Sequence, residues 1–274
     1  MGLFGTLVLG LIAGISILLG LPIGRLRNPA VGLRVFLTAT AVGVLLFLVW
    51  DILSQAWEPI DAALTDMHAK GSGFGAVAGY GTLFAAGLAV GLLSLVWYES
   101  WMRTHRRGSG DGTSRWTGVR RLALLIAVGI GLHNFGEGLA IGQSAARGDL
   151  TLATLLVIGF ALHNATEGFG ITAPLAGDVD AAGARRRPSW SLLMTLGLIG
   201  GGPTVLGAGL GHSFTSAPVS VVVLTLAAGS ILYVVLQLVA VATKAQRATL
   251  VGYGLLVGLI AGFATDAIVT AAGA

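Results

Sequence analysis

Long apolar runs, each close to the thickness of a bilayer, divide this chain from end to end. Only 10% of its residues are charged, whereas soluble globular domains have roughly 25%. A helix needs about 20 apolar residues to cross the hydrocarbon core of a bilayer. The sequence therefore predicts an all-α integral membrane protein that forms a single transmembrane domain. Eight helices are predicted, at 3–24, 33–55, 74–98, 119–144, 150–175, 189–211, 217–242 and 248–272.

The basic residues fall on one side of these predicted helices. Fourteen of the sixteen lysines and arginines lie in the odd-numbered loops or at the adjoining helix ends, and only Lys70 and Arg147 lie in the even-numbered loops. Cytoplasmic loops of membrane proteins carry an excess of basic residues. We therefore predict both termini outside, in the cell membrane. The same rule explains the net charge of +4, so we expect a lipid bilayer and no nucleic acid as the partner.

Two neighbouring predicted helices carry the same short motif. His133-Asn134-Phe135-Gly136-Glu137-Gly138 in the fourth helix is repeated as His163-Asn164-Ala165-Thr166-Glu167-Gly168 in the fifth. Each copy places a His and a Glu four residues apart, so that both side chains share one helix face. Ionisable groups at membrane depth are expensive, and they are found mainly on ion or substrate pathways. The pair of motifs therefore indicates a site for a transported ion.

The two motifs are expected to meet because each lies near the middle of its helix and the helices are antiparallel. Such pairs are related by a pseudo-two-fold axis in the membrane plane, as in many transporter sites. The chain has no cysteine, and nitrogen and oxygen ligands suit Zn²⁺, and also Fe²⁺, Mn²⁺ or Cd²⁺. Asn134 and Asn164 can add amide oxygens or orient the other ligands. The main ligands are predicted to be His133, Glu137, His163 and Glu167.

The paired motif, His133-Asn134-x-x-Glu137-Gly138 with His163-x-x-x-Glu167-Gly168, resembles that of the ZIP family of divalent-metal transporters. The resemblance extends over essentially the whole chain, through the eight helices, the outside termini and a variable third loop. It implies that Zn²⁺, Fe²⁺ or Mn²⁺ moves into the cytoplasm. It also implies a 3+2+3 helix arrangement with inverted-repeat symmetry, a frequent homodimer and elevator-like alternating access. The metal is then the substrate, and no catalytic cofactor is expected.

The chain departs from the family pattern beside and beyond the motifs. A proline often precedes the Glu of each motif, where this chain has Gly136 and Thr166. Many bacterial members have a Glu before a proline in the sixth helix, and here that position is Gly202. The acidic residues or His of the seventh helix correspond to Gln237 and Leu238. In the family, Asn134, Asn164 and the two glutamates would contribute to a second site, but we predict one well-formed site.

Further polar residues suggest a path for the ion. Asp51 lies near the end of the second helix and precedes the second loop. That loop is either a solvated surface segment or an entrance whose negative field concentrates cations. The residues that make this second loop acidic and His-bearing are Glu58, Asp61, Asp66 and His68. On the other side of the site, Gln237 and Asp266 are predicted to line the exit path.

Two other functions stay open at this point. An exporter or channel for another solute is compatible with the same helices, because the topology does not give the direction of movement. A membrane metalloenzyme fits less well, since the chain has five histidines and no His-Glu-x-x-His stretch. A serine protease based on Ser144 or Ser230 would lack an assigned base. We therefore expect no enzymatic activity.

Overall fold

The structure is a computed structural model, and it describes residues 1–25, 31–71, 73–105, 117–148, 150–178, 186–213 and 216–271. Within these ranges it contains helices and no strands. Seven helical segments of the described ranges are long and apolar enough to cross a membrane. The helix of the second motif is not among the seven, but its 23 residues extend over ~34 Å at about 1.5 Å per residue. The α-helices are α1 (Leu3–Ile15), α2 (Val31–Lys70), α3 (Phe74–His105), α4 (Gly118–Ala146), α5 (Leu150–Thr172), α6 (Trp190–Ser213), α7 (Ala217–Thr243) and α8 (Ala248–Ala271).

The second helix is longer than expected. It was predicted over 33–55, but α2 continues through Pro59 to Lys70, so the predicted second loop is largely helical. Of the charged residues that follow the apolar run, Glu58 and Lys70 are good helix formers, and Lys70 pairs with Asp66 across one turn, with its Nζ 3.0 Å from Oδ1. The acidic residues therefore lie on a helical extension of α2.

The first helix changes its geometry before the predicted end at residue 24. It is α-helical to Ile15 and continues as two short 3₁₀-helices, Ser16–Leu19 and Leu21–Arg25. Gly20 lies directly against the Ala165 carbonyl of α5, where a Cβ would collide. The first helix thus packs closely on the motif helix α5.

Four helices, α1, α4, α5 and α6, pack together around the two motifs, and we call them the motif bundle. Their backbones approach closely at small residues. A Cβ on Gly14 would collide with the Gly201 carbonyl, and one on Gly138 would collide with the Thr204 carbonyl. Small residues allow this approach between membrane helices, so the motif bundle is an interlocked unit.

The other four helices, α2, α3, α7 and α8, form a second group that we call the frame bundle. Here α2 packs on α8, and α3 packs on α7. A Cβ on Gly258 would collide with the Thr40 carbonyl, and one on Gly91 would collide with the Leu226 carbonyl. The frame bundle is thus held by the same kind of backbone contact.

The two bundles meet mainly where α4 crosses α7 and where α5 approaches α2. Part of this interface is an apolar layer of fully buried or nearly fully buried side chains. Along α2, α4 and α7 these residues lie between the motifs and the arginine-rich helix ends. The apolar layer consists of Leu45, Ile130, Ile231, Val234 and Leu238.

The two ends of the helix assembly differ in charge. At one end, which we call the basic end, Arg120 Nε lies 2.8 Å from Asp178 Oδ2, and Arg25 donates to the Pro188 carbonyl. At the opposite end, the amino group of Met1 donates to the Ala145 carbonyl at 3.3 Å. These contacts connect helix ends within the motif bundle, with the basic end on one side of the site and the amino terminus on the other.

Candidate metal centre

The side chains of the two motifs converge where α4 and α5 face each other. His133 Nε2 lies 2.9 Å from Glu137 Oε1, one turn further along α4. His163 Nε2 of α5 contacts the same Glu137 oxygen. Glu167 Oε1 lies 3.7 Å from His133 Nε2. One ligand atom each from His133, Glu137 and His163 falls within a span of 4.8 Å, which is compact enough for all three to bind one ion.

The carboxylates of the site are buried without enough hydrogen-bond donors. The side chains of Glu137 and Glu167 are 4% and 1% exposed, and Glu137 Oε2 and both Glu167 oxygens have no hydrogen-bond partner. Burying a charged group without a partner is costly, and a coordinated cation removes that cost. The donor set of imidazole nitrogen and carboxylate oxygen suits Zn²⁺ and related divalent ions.

The two motif asparagines are attached to neighbouring helices in the same way. Asn134 Nδ2 donates to the Gly200 carbonyl of α6 at 3.0 Å, and Asn164 Nδ2 donates to the Ala13 carbonyl of α1 at 3.0 Å. Because a carbonyl only accepts, these bonds determine which end of each amide is the nitrogen. Both Oδ1 atoms are buried and have no hydrogen-bond partner. The asparagines can therefore orient the site or add an oxygen ligand.

A cavity of ≈ 1020 Å³ leads from the motifs toward the opposite end. His163 and Thr166 line its deep part, and Asp51, Glu58 and Asp266 line it as well. A narrow continuation of ≈ 30 Å³ passes Asp51 and reaches His133 and Glu137. The two cavities share Asp51 and together extend from the site toward the opposite end.

The structure separates the two residues that were expected to line the exit path. Asp266 lies in the same cavity as Asp51, because α8 runs from the basic end and Asp266 is close to its other end. Gln237 lies in the last part of α7, where its Nε2 donates to Glu99 Oε2 at 3.0 Å. Asp266 therefore lies in the cavity at the opposite end, and only Gln237 lies on the side of the basic end.

Sequence reasoning missed Glu99, which accepts hydrogen bonds from both Gln237 and Tyr233. The Tyr233 hydroxyl lies 3.0 Å from Glu99 Oε2. A single carboxylate at the end of an apolar helix has no diagnostic spacing of its own. The signal that was available is the pair Tyr233 and Gln237, which lie four residues apart and so share one face of α7.

A family model described as ZIP Zinc transporter matches residues 102–270, a range that includes both motifs and extends into α8. No curated protein matched the chain.

Proposed function

Because the chain belongs to the ZIP zinc transporter family, we propose that it carries a divalent cation across the membrane through the His/Glu centre of α4 and α5. Zn²⁺ is the first candidate, followed by Fe²⁺, Mn²⁺ and Cd²⁺. The observation that carries this proposal is the meeting of His133, Glu137 and His163 within 4.8 Å at a buried position. Glu167, with two unpartnered oxygens beside them, completes the predicted ligand set.

The charge of the two ends supports an orientation of the protein in the membrane, and inward transport is proposed for that orientation. Excess basic residues mark the cytoplasmic side, which places the basic end in the cytoplasm and both termini outside. The large cavity then opens to the outside, and the apolar layer closes the route to the cytoplasm. We interpret this arrangement as an outward-open state, from which an ion moves inward.

Binding proceeds from the cavity to the centre. The carboxylates of Asp51, Glu58 and Asp266 line the cavity, and their negative field raises the local concentration of cations. The ion then loses water and gains imidazole and carboxylate ligands from the two motifs. Because these ligands must be deprotonated, metal binding releases protons.

The matching bonds of the motif asparagines support an inverted repeat. Asn134 of α4 reaches α6, and Asn164 of α5 reaches α1, each through Nδ2 and a backbone carbonyl at 3.0 Å. A two-fold axis that relates α4 to α5 would also relate α6 to α1. This is expected if helices 1–3 and helices 6–8 are two related units on either side of the central pair α4 and α5. We propose the 3+2+3 arrangement on this basis. A homodimer and a location in the cell membrane remain predictions.

Alternating access requires that the centre reach the cytoplasmic side. The motif bundle carries all six motif side chains proposed to hold or orient the ion, and it packs internally through close backbone contacts. Its movement as a unit against the frame bundle would carry the ion past the apolar layer without dismantling the site. This is an elevator-like movement.

Uptake into proteoliposomes tests the proposal. The purified protein should accumulate radioactive Zn²⁺ in vesicles, and both Glu137→Ala and His163→Ala should abolish the accumulation. Asp61→Ala and His68→Ala are matched controls, because both residues lie exposed on the extension of α2, and they should retain uptake. Unchanged uptake in Glu137→Ala and His163→Ala would refute the site, and efflux in place of uptake would favour the exporter.

A further inference from the structure

The large cavity opens sideways on the α5 side, toward the surface that faces the bilayer. Leu162 lines the cavity and is 61% exposed. Ile158 lies one turn earlier on the same face of α5 and is 52% exposed, but the described wall of the cavity does not include it. Leu162 therefore continues the bilayer-facing surface of α5 and at the same time belongs to the cavity wall.

The same arrangement is found on α8, across the gap from α5. Ala261 is exposed and lines the cavity, whereas Val257, one turn earlier, is 45% exposed and lies outside the described wall. The cavity thus reaches the outer surface of the protein on both sides of the gap, which we call the side opening. Leu162 precedes His163 near the middle of α5, so the side opening lies at the depth of the hydrocarbon core.

The cavity wall changes from apolar to charged along its length. On α2, which begins at the basic end, the wall starts with Val44 and Phe47, continues with Asp51 and ends with Glu58. The inner part next to the side opening is therefore apolar, and the outer part is charged. Water in an apolar opening that faces hydrocarbon loses hydrogen bonds without gaining others. Such a wall favours an amphipathic occupant over water alone.

The volume of the cavity exceeds the need of a metal ion. Its ≈ 1020 Å³ holds on the order of 30 water molecules, each of which takes about 30 Å³ in the liquid. A divalent ion that keeps six waters needs only about 200 Å³ on the same scale. Entry of the ion therefore leaves most of the cavity without an assigned occupant.

The charges of the outer part indicate which headgroup fits. Among the described residues that line the cavity, the carboxylates of Asp51, Glu58 and Asp266 outnumber the guanidinium of Arg147. Carboxylates attract an ammonium group, and an arginine is a good partner for a phosphate. A headgroup that carries both charges satisfies both kinds of side chain. A purely anionic headgroup would add negative charge to a wall that is already negative.

We propose that the cavity binds a zwitterionic phospholipid. Its phosphate lies at Arg147, its ammonium lies at the carboxylates, and one acyl chain follows the apolar wall to the side opening between Leu162 and Ala261. The headgroup and an incoming metal ion then share the same carboxylates. This inference goes beyond the proposed function, because the lipid binds whether or not an ion is carried.

Lipid retention tests the site in the purified protein. After delipidation and addition of a defined lipid, mass spectrometry of the intact complex counts the lipids that stay bound. One phosphatidylethanolamine per chain should remain, and phosphatidylglycerol, whose headgroup has no ammonium, should be retained at least about tenfold less, as expected for the loss of a charged contact. Equal retention of the two lipids, or retention of neither, would overturn the proposal.

Variants at the side opening place the acyl chain. Ala261→Phe fills the opening from α8 and should lower retention of phosphatidylethanolamine about tenfold, because overpacking displaces the chain. Val257→Phe is the matched control, since it adds the same ring outside the cavity. Leu162→Trp with Ile158→Trp as its control repeats the comparison from α5, and thermal unfolding shows which variants are folded.

The outcome separates this site from the metal centre. Folded Ala261→Phe or Leu162→Trp protein that retains as much phosphatidylethanolamine as its control would overturn the proposal. A wild-type chain that retains the lipid but moves no Zn²⁺ into proteoliposomes would leave the lipid site standing and refute the proposed function.

Discussion

One carboxylate oxygen of Glu137 contacts both motif histidines: His133 Nε2 lies 2.9 Å from Oε1, and His163 Nε2 contacts the same atom. The two rings come from antiparallel helices, with centroids 6.1 Å apart. The other oxygen, Oε2, is buried and has no partner. Glu137 is therefore the point at which the two helices share one candidate site.

Replacing Glu167 with glutamine should stabilise the metal-free protein. The Glu167 carboxylate is 1% exposed and neither oxygen has a hydrogen-bond partner, so a neutral amide of the same size should raise the free energy of unfolding by about 1–3 kcal/mol. Thermal unfolding in detergent measures this change. The stabilisation that Zn²⁺ gives the wild-type protein should shrink at the same time. A Glu167→Gln variant that melts lower without metal and still responds fully to Zn²⁺ would contradict the assignment.

The two asparagines should behave alike although they lie on different helices. Asn134→Asp and Asn164→Asp each replace the donor with an acceptor that faces a carbonyl, of Gly200 or Ala13. Each variant should lose at least about 1–3 kcal/mol of unfolding free energy, the usual cost of a buried polar group without its partner. Chemical denaturation measures the loss. A large effect in one variant and none in the other would argue against equivalent roles.

Metal affinity should fall as the pH is lowered. Imidazole and carboxylate ligands bind metal only when they are deprotonated, so protons compete with the ion. Zn²⁺ added to the protein in weak buffer should therefore acidify the solution, and titration calorimetry in two buffers of different ionisation enthalpy counts the protons released. Affinity that is the same at pH 5 and pH 7, with no proton release, would show that the ion binds elsewhere.

Removing the negative charges that line the cavity should slow the entry of the metal ion more than it weakens metal binding at the centre. Asp51 and Asp266 line the cavity and interact electrostatically, so Asp51→Asn with Asp266→Asn should reduce uptake at low Zn²⁺ concentration. The effect should diminish at high ionic strength, because salt screens a field that acts through water. Asp61→Asn, on the exposed extension of α2, is the control. Equal slowing at low and high salt would contradict an electrostatic role.

The sequence alone was sufficient to predict helices apolar and long enough to cross a membrane, and the meeting of His133, Glu137 and His163. Hydropathy runs depend on local composition, and the spacing of His133 and Glu137 places them on one face of any helix. The extension of α2 to Lys70 was missed because a prediction based on hydropathy ends a membrane helix where charged residues begin. Charged residues can nevertheless continue an α-helix.

The contacts that depend on which helices pack together could not be predicted. Asn134 donates a hydrogen bond to Gly200, which is 66 positions away in the sequence, and Asn164 donates one to Ala13, which is 151 positions away. A single sequence with no alignment does not show which helices are neighbours. That Asp266 lines the same cavity as Asp51 could not be predicted for a related reason, because the direction in which α8 runs decides which cavity its last turns line.

Zinc K-edge X-ray absorption of the Zn²⁺-loaded protein tests the central claim most directly. The wild-type spectrum should show two imidazole nitrogens and carboxylate oxygens at about 2.0–2.2 Å from the metal. His163→Ala should remove one imidazole, and His133→Ala with His163→Ala should remove both. A wild-type spectrum without imidazole, or one that the double variant leaves unchanged, would contradict a site built from these two helices.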